Sequence, residues 1–149
     1  MENNKIITGY TTGIFDLFHI GHLNILKQAK SMCDRLIVGV STDELAFSLK
    51  GKTPVIPFNE RLEIIQSIRY VDFAVPETVN NKLAAWEELH FNILFKGDDW
   101  KNTERWILLE ELFKKEGVKI HYFQYTKNTS STIIRDVLNE YLENKQVIP

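Results

Sequence analysis

Gly13-Ile14-Phe15-Asp16-Leu17-Phe18-His19-Ile20-Gly21-His22 is the stretch on which the fold turns. Before it runs an apolar, β-prone segment, Lys5-Ile6-Ile7-Thr8-Gly9-Tyr10; after it, Leu23, Ile25, Leu26, Ala29 and Met32 recur at helical spacing. Two imidazoles and two glycines therefore sit where a strand hands over to a helix. The first turn of a helix has free backbone N–H groups and a partial positive charge, which suit a phosphate. Glycine lets the backbone approach a ligand with no Cβ in the way. Two histidines three apart, one of them at the helix start, can aim N–H donors at the same polyphosphate. A single histidine there would read as a cap or a surface residue; the whole string in its strand–loop–helix setting points to a ligand.

The flanking chain repeats the alternation. Arg35-Leu36-Ile37-Val38-Gly39-Val40 is a nearly continuous apolar run of strand length, the pattern of a strand buried on both faces. Ser41-Thr42-Asp43-Glu44 caps a short helix through Leu49, and Lys50-Gly51-Lys52-Thr53-Pro54 is a loop. Asn59 is the expected N-cap of a helix through Ser67. A strand over Val71–Val75 is expected to end at Pro76. A helix over Lys82–Leu89, a strand over Phe91–Lys96, a helix from Thr103 to Lys115 closed by Gly117, a strand over Val118–Phe123 and a helix from Ser130 through Glu143 complete the chain. Such alternation predicts one α/β domain over residues 1–149, a Rossmann-like, doubly wound parallel sheet.

Composition narrows the function. The chain has 149 residues, 44% of them hydrophobic, enough for one real core. A net charge of −2 gives no general attraction to nucleic acid or to a membrane surface, so a phosphate site must be a local basic cluster. Cys33, the only cysteine, excludes an internal disulfide and reads as a packing residue. No apolar run has signal length or approaches the roughly 20 residues of a membrane span, so a cytoplasmic protein is expected.

In a sheet of this kind ligands bind beyond the carboxyl ends of the strands, near the switch point. Four clusters fall there: the His loop (Gly13, Ile14, Phe15, Asp16, His19, Gly21, His22), the segment after the second strand with Asp43, Gly97-Asp98-Asp99-Trp100, and Thr126 through Ser130, Ser131 and Thr132. Lys50 and Lys52 flank a glycine, so their charges can reach inward from a flexible loop. Gly97-Asp98-Asp99-Trp100 fits a ribose, a cytosine amine or a metal, and equally an N-cap with a packed indole. Ser130-Ser131-Thr132 offers hydroxyls at a helix start, as a cap, a triphosphate cradle or both.

The string Gly-Ile-Phe-Asp-Leu-Phe-His-Ile-Gly-His resembles the His-x-Gly-His nucleotidyltransferases, and more narrowly the cytidylyltransferases. Leu36–Leu45, Asn59-Glu60-Arg61 and Ile68-Arg69-Tyr70-Val71-Asp72 are similar to that family too, and Gly97–Trp100 is similar to the glycerol-3-phosphate cytidylyltransferases of bacteria. The resemblance implies a reaction of CTP with a phosphorylated alcohol, giving a CDP-alcohol and pyrophosphate. By position it implies that His19 and His22 contact the phosphates and that Gly13, Ile14 and Phe15 line the nucleotide. It sets Lys50 towards the acceptor phosphate, Lys52 towards CTP, and Arg61 on the triphosphate. Asp43, Lys82 and Trp100 are candidates for the acceptor, with Mg²⁺ expected on the triphosphate and no protein-held metal. A homodimer is implied.

Two departures bear on the substrate. The family pattern Arg-Thr-x-Gly-Ile-Ser-Thr-Thr is here Tyr125-Thr126-Lys127-Asn128-Thr129-Ser130-Ser131-Thr132, without the arginine or the glycine, and Ile14 stands where the bacterial glycerol-phosphate enzymes have Thr, as in choline-phosphate cytidylyltransferases. Glycerol 3-phosphate is the first acceptor to consider. Choline, ethanolamine or polyol phosphates, an adenylyltransferase of the same superfamily, and a non-catalytic nucleotide-binding module are the alternatives.

Overall fold

The computed structural model describes residues 5–97, 101–124 and 130–146. In chain order it holds β1 (Thr8–Gly13), α1 (Ile20–Ser31), β2 (Arg35–Ser41), α2 (Asp43–Lys50), α3 (Phe58–Gln66), β3 (Phe73–Glu77), α4 (Lys82–Leu89), β4 (Ile93–Gly97), α5 (Glu104–Lys115), β5 (Lys119–Phe123) and α6 (Ser131–Gln146). The strands form one parallel sheet ordered β3-β2-β1-β4-β5, the doubly wound arrangement that the alternation predicts.

From β1 the chain moves outward through β2 to β3, then returns across the sheet to β4 and β5. The direction reverses between β1 and β4, and their pairing covers only Gly9↔Ile93 and Tyr10↔Leu94, although β1 runs on to Gly13. Beyond Tyr10 the ladder gives way to a single side-chain bond, Thr11 Oγ1 donating to the Phe95 carbonyl at 3.3 Å, and it is beyond the carboxyl ends at such a switch point that sheets of this kind bind ligands.

Both faces of the sheet are covered, which is why β2 reads as an unbroken apolar run. Leu36, Val38 and Val40 meet Leu26, Ala29 and Ile65 from α1 and α3 on one face. Ile37, with Tyr10 and Leu94, meets Trp106 and Phe113 of α5 on the other. Gly39 is set by that packing, since a Cβ there would lie 2.5 Å from the Tyr10 hydroxyl. Cys33 packs as expected, partly buried, its thiol donating to the Ala29 carbonyl at 3.3 Å.

Three local expectations are corrected. β1 spans Thr8–Gly13 rather than Lys5–Tyr10, because the central strand position rewards Thr11 and Thr12 with pairing to Val38 and Gly39, while Ile6 and Ile7 are exposed. The N-cap of α3 is Pro57, not Asn59; its fixed φ of −58° leads into the helix. Pro76 lies inside β3, opposite Val40, instead of ending it; β3 is an edge strand, where a missing N–H is tolerated. Among the described residues no helix is long and apolar enough to cross a membrane.

Candidate active site

His19 and His22 come together at the start of α1. His19 is the N-cap, its Nδ1 accepting from the Gly21 amide at 3.0 Å, while the His22 Nδ1 accepts from the His19 amide at 3.3 Å. This is a reciprocal capping box built from two imidazoles. With each Nδ1 an acceptor, each neutral ring carries its proton on Nε2, turned away from the helix backbone. The rings stack with centroids 3.9 Å apart, and Phe15 and Phe18 pack on His22 at 5.4 and 5.3 Å. Burial, with His19 alongside, pushes the His22 pKa down to about 4, and burial lowers that of His19. The pair therefore presents neutral N–H donors at a helix N-terminus, the equipment for binding phosphate oxygens without a proton to give away.

The loop that delivers them is strained. Phe15 and Leu17 have φ of 56° and 51°, in the left-handed region that L-residues avoid. Such conformations persist only where the surroundings over-determine them, and here two buried charges do so. The Asp16 carboxylate, 3% exposed, accepts from the Val55 and Ile56 amides at 2.8 and 2.9 Å and from Arg135 of α6 at 3.0 Å. Burial opposes its ionisation, but the Ile56 and Val55 amides and Arg135 outweigh it and hold the pKa below the usual carboxylate value. Arg61 of α3, 1% exposed, donates to the carbonyls of Ile56, Ile14 and Ser41 at 2.7–2.8 Å and to Asp43 Oδ1 at 2.7 Å.

These contacts place three of the residues that the sequence offers to the site. The Arg61 guanidinium, expected on the triphosphate, is engaged by three carbonyls and Asp43. Asp16, expected beside the nucleotide, has both oxygens engaged by amides and Arg135. Asp43, given to the acceptor by the sequence, is occupied by Arg61 and by the Phe58 amide at 3.4 Å. All three knit the His loop to β2, α3 and the 51–57 loop. Phe15, 7% exposed, packs in the core beside His22. Gly13 gives that ring its room, since a Cβ would sit 2.8 Å from it.

Lys50, in the last turn of α2, and Lys52 are exposed on either side of Gly51, which closes the helix at φ 73°. At the start of α6, Ser131 Oγ donates to the Asp16 carbonyl at 2.5 Å, and Ser130 Oγ accepts from the Ile133 amide at 3.1 Å. Both hydroxyls thus serve the helix start and the His loop; Thr132 is exposed beside them. Lys82 is buried, bonded to Glu77 Oε2 at 2.6 Å and to Thr12 Oγ1 at 2.8 Å. Gly97 is the last residue of β4, the neighbour of β1 across the switch point. Asp98, Asp99, Trp100, Tyr125, Thr126, Lys127, Asn128 and Thr129 lie outside the described residues.

Sequence reading did not single out Arg135, Glu77 or Thr12. Arg135 had a signal: it lies four residues after Ser131 on one helix, so both project from one face. Glu77 has one partner nearby, Lys82 five residues on, but its tie to Ser41 spans 36 residues of chain.

Residues 10–137 match the family model described as cytidylyltransferase-like. The chain belongs to that family. Among its relatives, the FAD synthase of Thermococcus kodakarensis is 32% identical over 151 residues, spanning 95% of this chain and 99% of that protein. Ethanolamine-phosphate cytidylyltransferase of Dictyostelium discoideum is 43% identical over 101 residues, or 65% of this chain, and the bifunctional protein HldE of Granulibacter bethesdensis is 32% identical over 128 residues, or 85%. The matches cover only 27% and 26% of those two proteins. A lipopolysaccharide core biosynthesis protein from Thermoplasma volcanium shares the fold with a TM-score of 0.69 and 30% identity, over 84% of this chain and all of that one.

Proposed function

We propose that the protein transfers CMP from CTP to a small phosphorylated alcohol, glycerol 3-phosphate first among the acceptors, releasing pyrophosphate. The observation that carries this reading is the His19–His22 pair, two neutral Nε2–H donors stacked at the N-terminus of the helix that follows β1, next to the β1–β4 switch point. The acceptor phosphate is already an anion and needs no general base. It attacks the α-phosphorus in line, the new P–O bond forms, and the bond to the bridging oxygen breaks as pyrophosphate leaves with the electron pair. The protein's task is positioning and charge compensation on crowded oxygens. The His pair and the N-terminal amides of α1 serve the phosphates nearest the reacting centre; Lys52 and the start of α6 serve the rest of the triphosphate; Lys50 and Lys82 serve the acceptor.

Mg²⁺ belongs to this reading as a companion of the nucleotide. In this reading its ligands would be phosphate oxygens and water. A homodimer is also part of the reading, and sedimentation at micromolar concentration checks it, with a monomer removing it.

A second reading has its own support. The FAD synthase likeness runs end to end, and a flavin mononucleotide is also a phosphorylated alcohol, so adenylyl transfer from ATP fits the same residues. Pyrophosphate release across CTP, ATP, GTP and UTP, each with glycerol 3-phosphate, phosphocholine, phosphoethanolamine, sugar phosphates and flavin mononucleotide, separates the two. Turnover with CTP alone upholds the first, turnover with ATP alone the second. Silence with every pair overturns both.

A further inference from the structure

At the carboxyl ends of β1, β2 and β3 a second buried polar cluster sits apart from the His loop. Glu77, the last residue of β3, is 7% exposed, and Lys82, the first of α4, is 5% exposed. Glu77 Oε1 accepts from Ser41 Oγ, at the end of β2, at 3.0 Å. Glu77 Oε2 accepts from Lys82 at 2.6 Å, and Lys82 donates in turn to Thr12 Oγ1, on β1, at 2.8 Å. One carboxylate thus ties three strand ends together and fixes where an ammonium stands.

An ion pair this deep is a poor means of stabilising a fold, because desolvating two charges costs about as much as their attraction returns. Apolar residues of similar size would serve the sheet as well. What the pair does provide is a cation held at a fixed place, one residue from Gly13 and the His loop. Lys50 and Lys52 differ, being exposed. We propose that Glu77 is a positioning residue for the acceptor half of the site: it stations the Lys82 ammonium against Thr12, where that ammonium meets the acceptor's phosphate. The inference rests on the transferase reading above. The groups facing Lys82 are Glu77 and Thr12, with Arg105 of α5 a more distant like charge; burial and Arg105 lower its pKa, and Glu77 raises it.

The test uses the full chain with ¹³Cε-labelled lysine, as wild type, Glu77→Gln, Ser41→Ala and Lys82→Met, the last identifying the Lys82 signal. In wild type the Lys82 signal is expected to move when glycerol 3-phosphate or inorganic phosphate is added. In Glu77→Gln its titration midpoint should fall by about one pH unit or more, and its response to phosphate should weaken about tenfold. In turnover assays the same variant should raise the acceptor KM about tenfold and leave the nucleotide KM within about twofold. Should Glu77→Gln fail to fold, Ser41→Ala, which removes one tether without leaving a charge alone, must give the same acceptor-selective rise at smaller size. A Lys82 signal indifferent to both phosphates overturns the proposal, as does an equal rise of both KM values in either variant. Absence of turnover in wild type, with the Lys82 signal still responding, overturns the transferase reading and leaves this assignment standing.

Discussion

Arg61 and Lys52 lie nine residues apart, and the sequence offers both as cations for one triphosphate. Lys52 stands in solvent just beyond α2, while Arg61 is buried, 1% exposed. Local pattern does not explain the difference. A guanidinium has five donors in a rigid fork, so it can span three carbonyls and a carboxylate at once. An ammonium on a flexible stem beside a glycine has no such set of partners and stays with solvent. Arg61 is thus a strut whose four partners take up its fork, and Lys52 a contact; Lys82 stands between them, buried, with two of its three N–H donors engaged by Glu77 and Thr12.

Arg61→Ala is the strongest way to break that division. It leaves the carbonyls of Ile14, Ser41 and Ile56 and the Asp43 carboxylate without their partner, and should cost about 3–5 kcal/mol of stability. Arg61→Lys should recover little, since the fork is lost. A melting curve close to wild type would return Arg61 to the contacts. Next come His19→Ala and His22→Ala, each expected to lower turnover about a hundredfold or more while the circular dichroism spectrum stays native. Near-normal turnover in both would remove them from the mechanism.

Arg135→Ala tests a residue that belongs to both classes. It unpairs Asp16 and takes a guanidinium from the start of α6. The expected outcome is a moderate loss of melting temperature with a rise of about tenfold in nucleotide KM; a change in stability alone would make it a strut. Lys52→Ala should raise nucleotide KM by a smaller factor and leave the melting temperature unchanged. A large fall in melting temperature would show that its exposure had been misread.

The smallest effect is one of pH. His22 has its pKa lowered to about 4 against an ordinary 6.5, so the folded protein refuses a proton that the unfolded chain accepts. Above pH 6.5 both states are neutral there, and the group costs nothing. Between 6.5 and about 4 the melting temperature should decline. His22→Gln should flatten that decline, and an unchanged slope would show that other groups govern it.

Much of this was legible beforehand, for reasons particular to each element. β2 announced itself because a strand covered on both faces must be apolar throughout. α1 was readable because its cap, its glycine and its apolar stripe agree. α4 lies at the expected Lys82–Leu89, between Asn81 as its N-cap and the left-handed His90. Pro76 misled because proline forbids only a central strand, and the sequence does not say which strand lies at the edge. Asn59 misled because it is a good cap two residues late, where Pro57 had already set the backbone. The networks of Arg61, Asp16 and Glu77 are completed by partners from 18 to 119 residues away, which no local window contains, besides the nearby Ile56 and Lys82.

The central place of β1 also has a consequence for the order in which the protein comes to life. Its pairing with β4 joins Gly9 to Ile93, and Asp16 meets Arg135 across 119 residues of chain. As the polypeptide leaves the ribosome, β1, α1 and β2 can associate early, since their contacts are close in sequence. The strained loop between Gly13 and His19 then waits for its last support until nearly the whole chain has emerged. Recovery of activity on refolding should accordingly trail recovery of helical signal, and a chain truncated before residue 135 should show sheet and helix with the site unfinished.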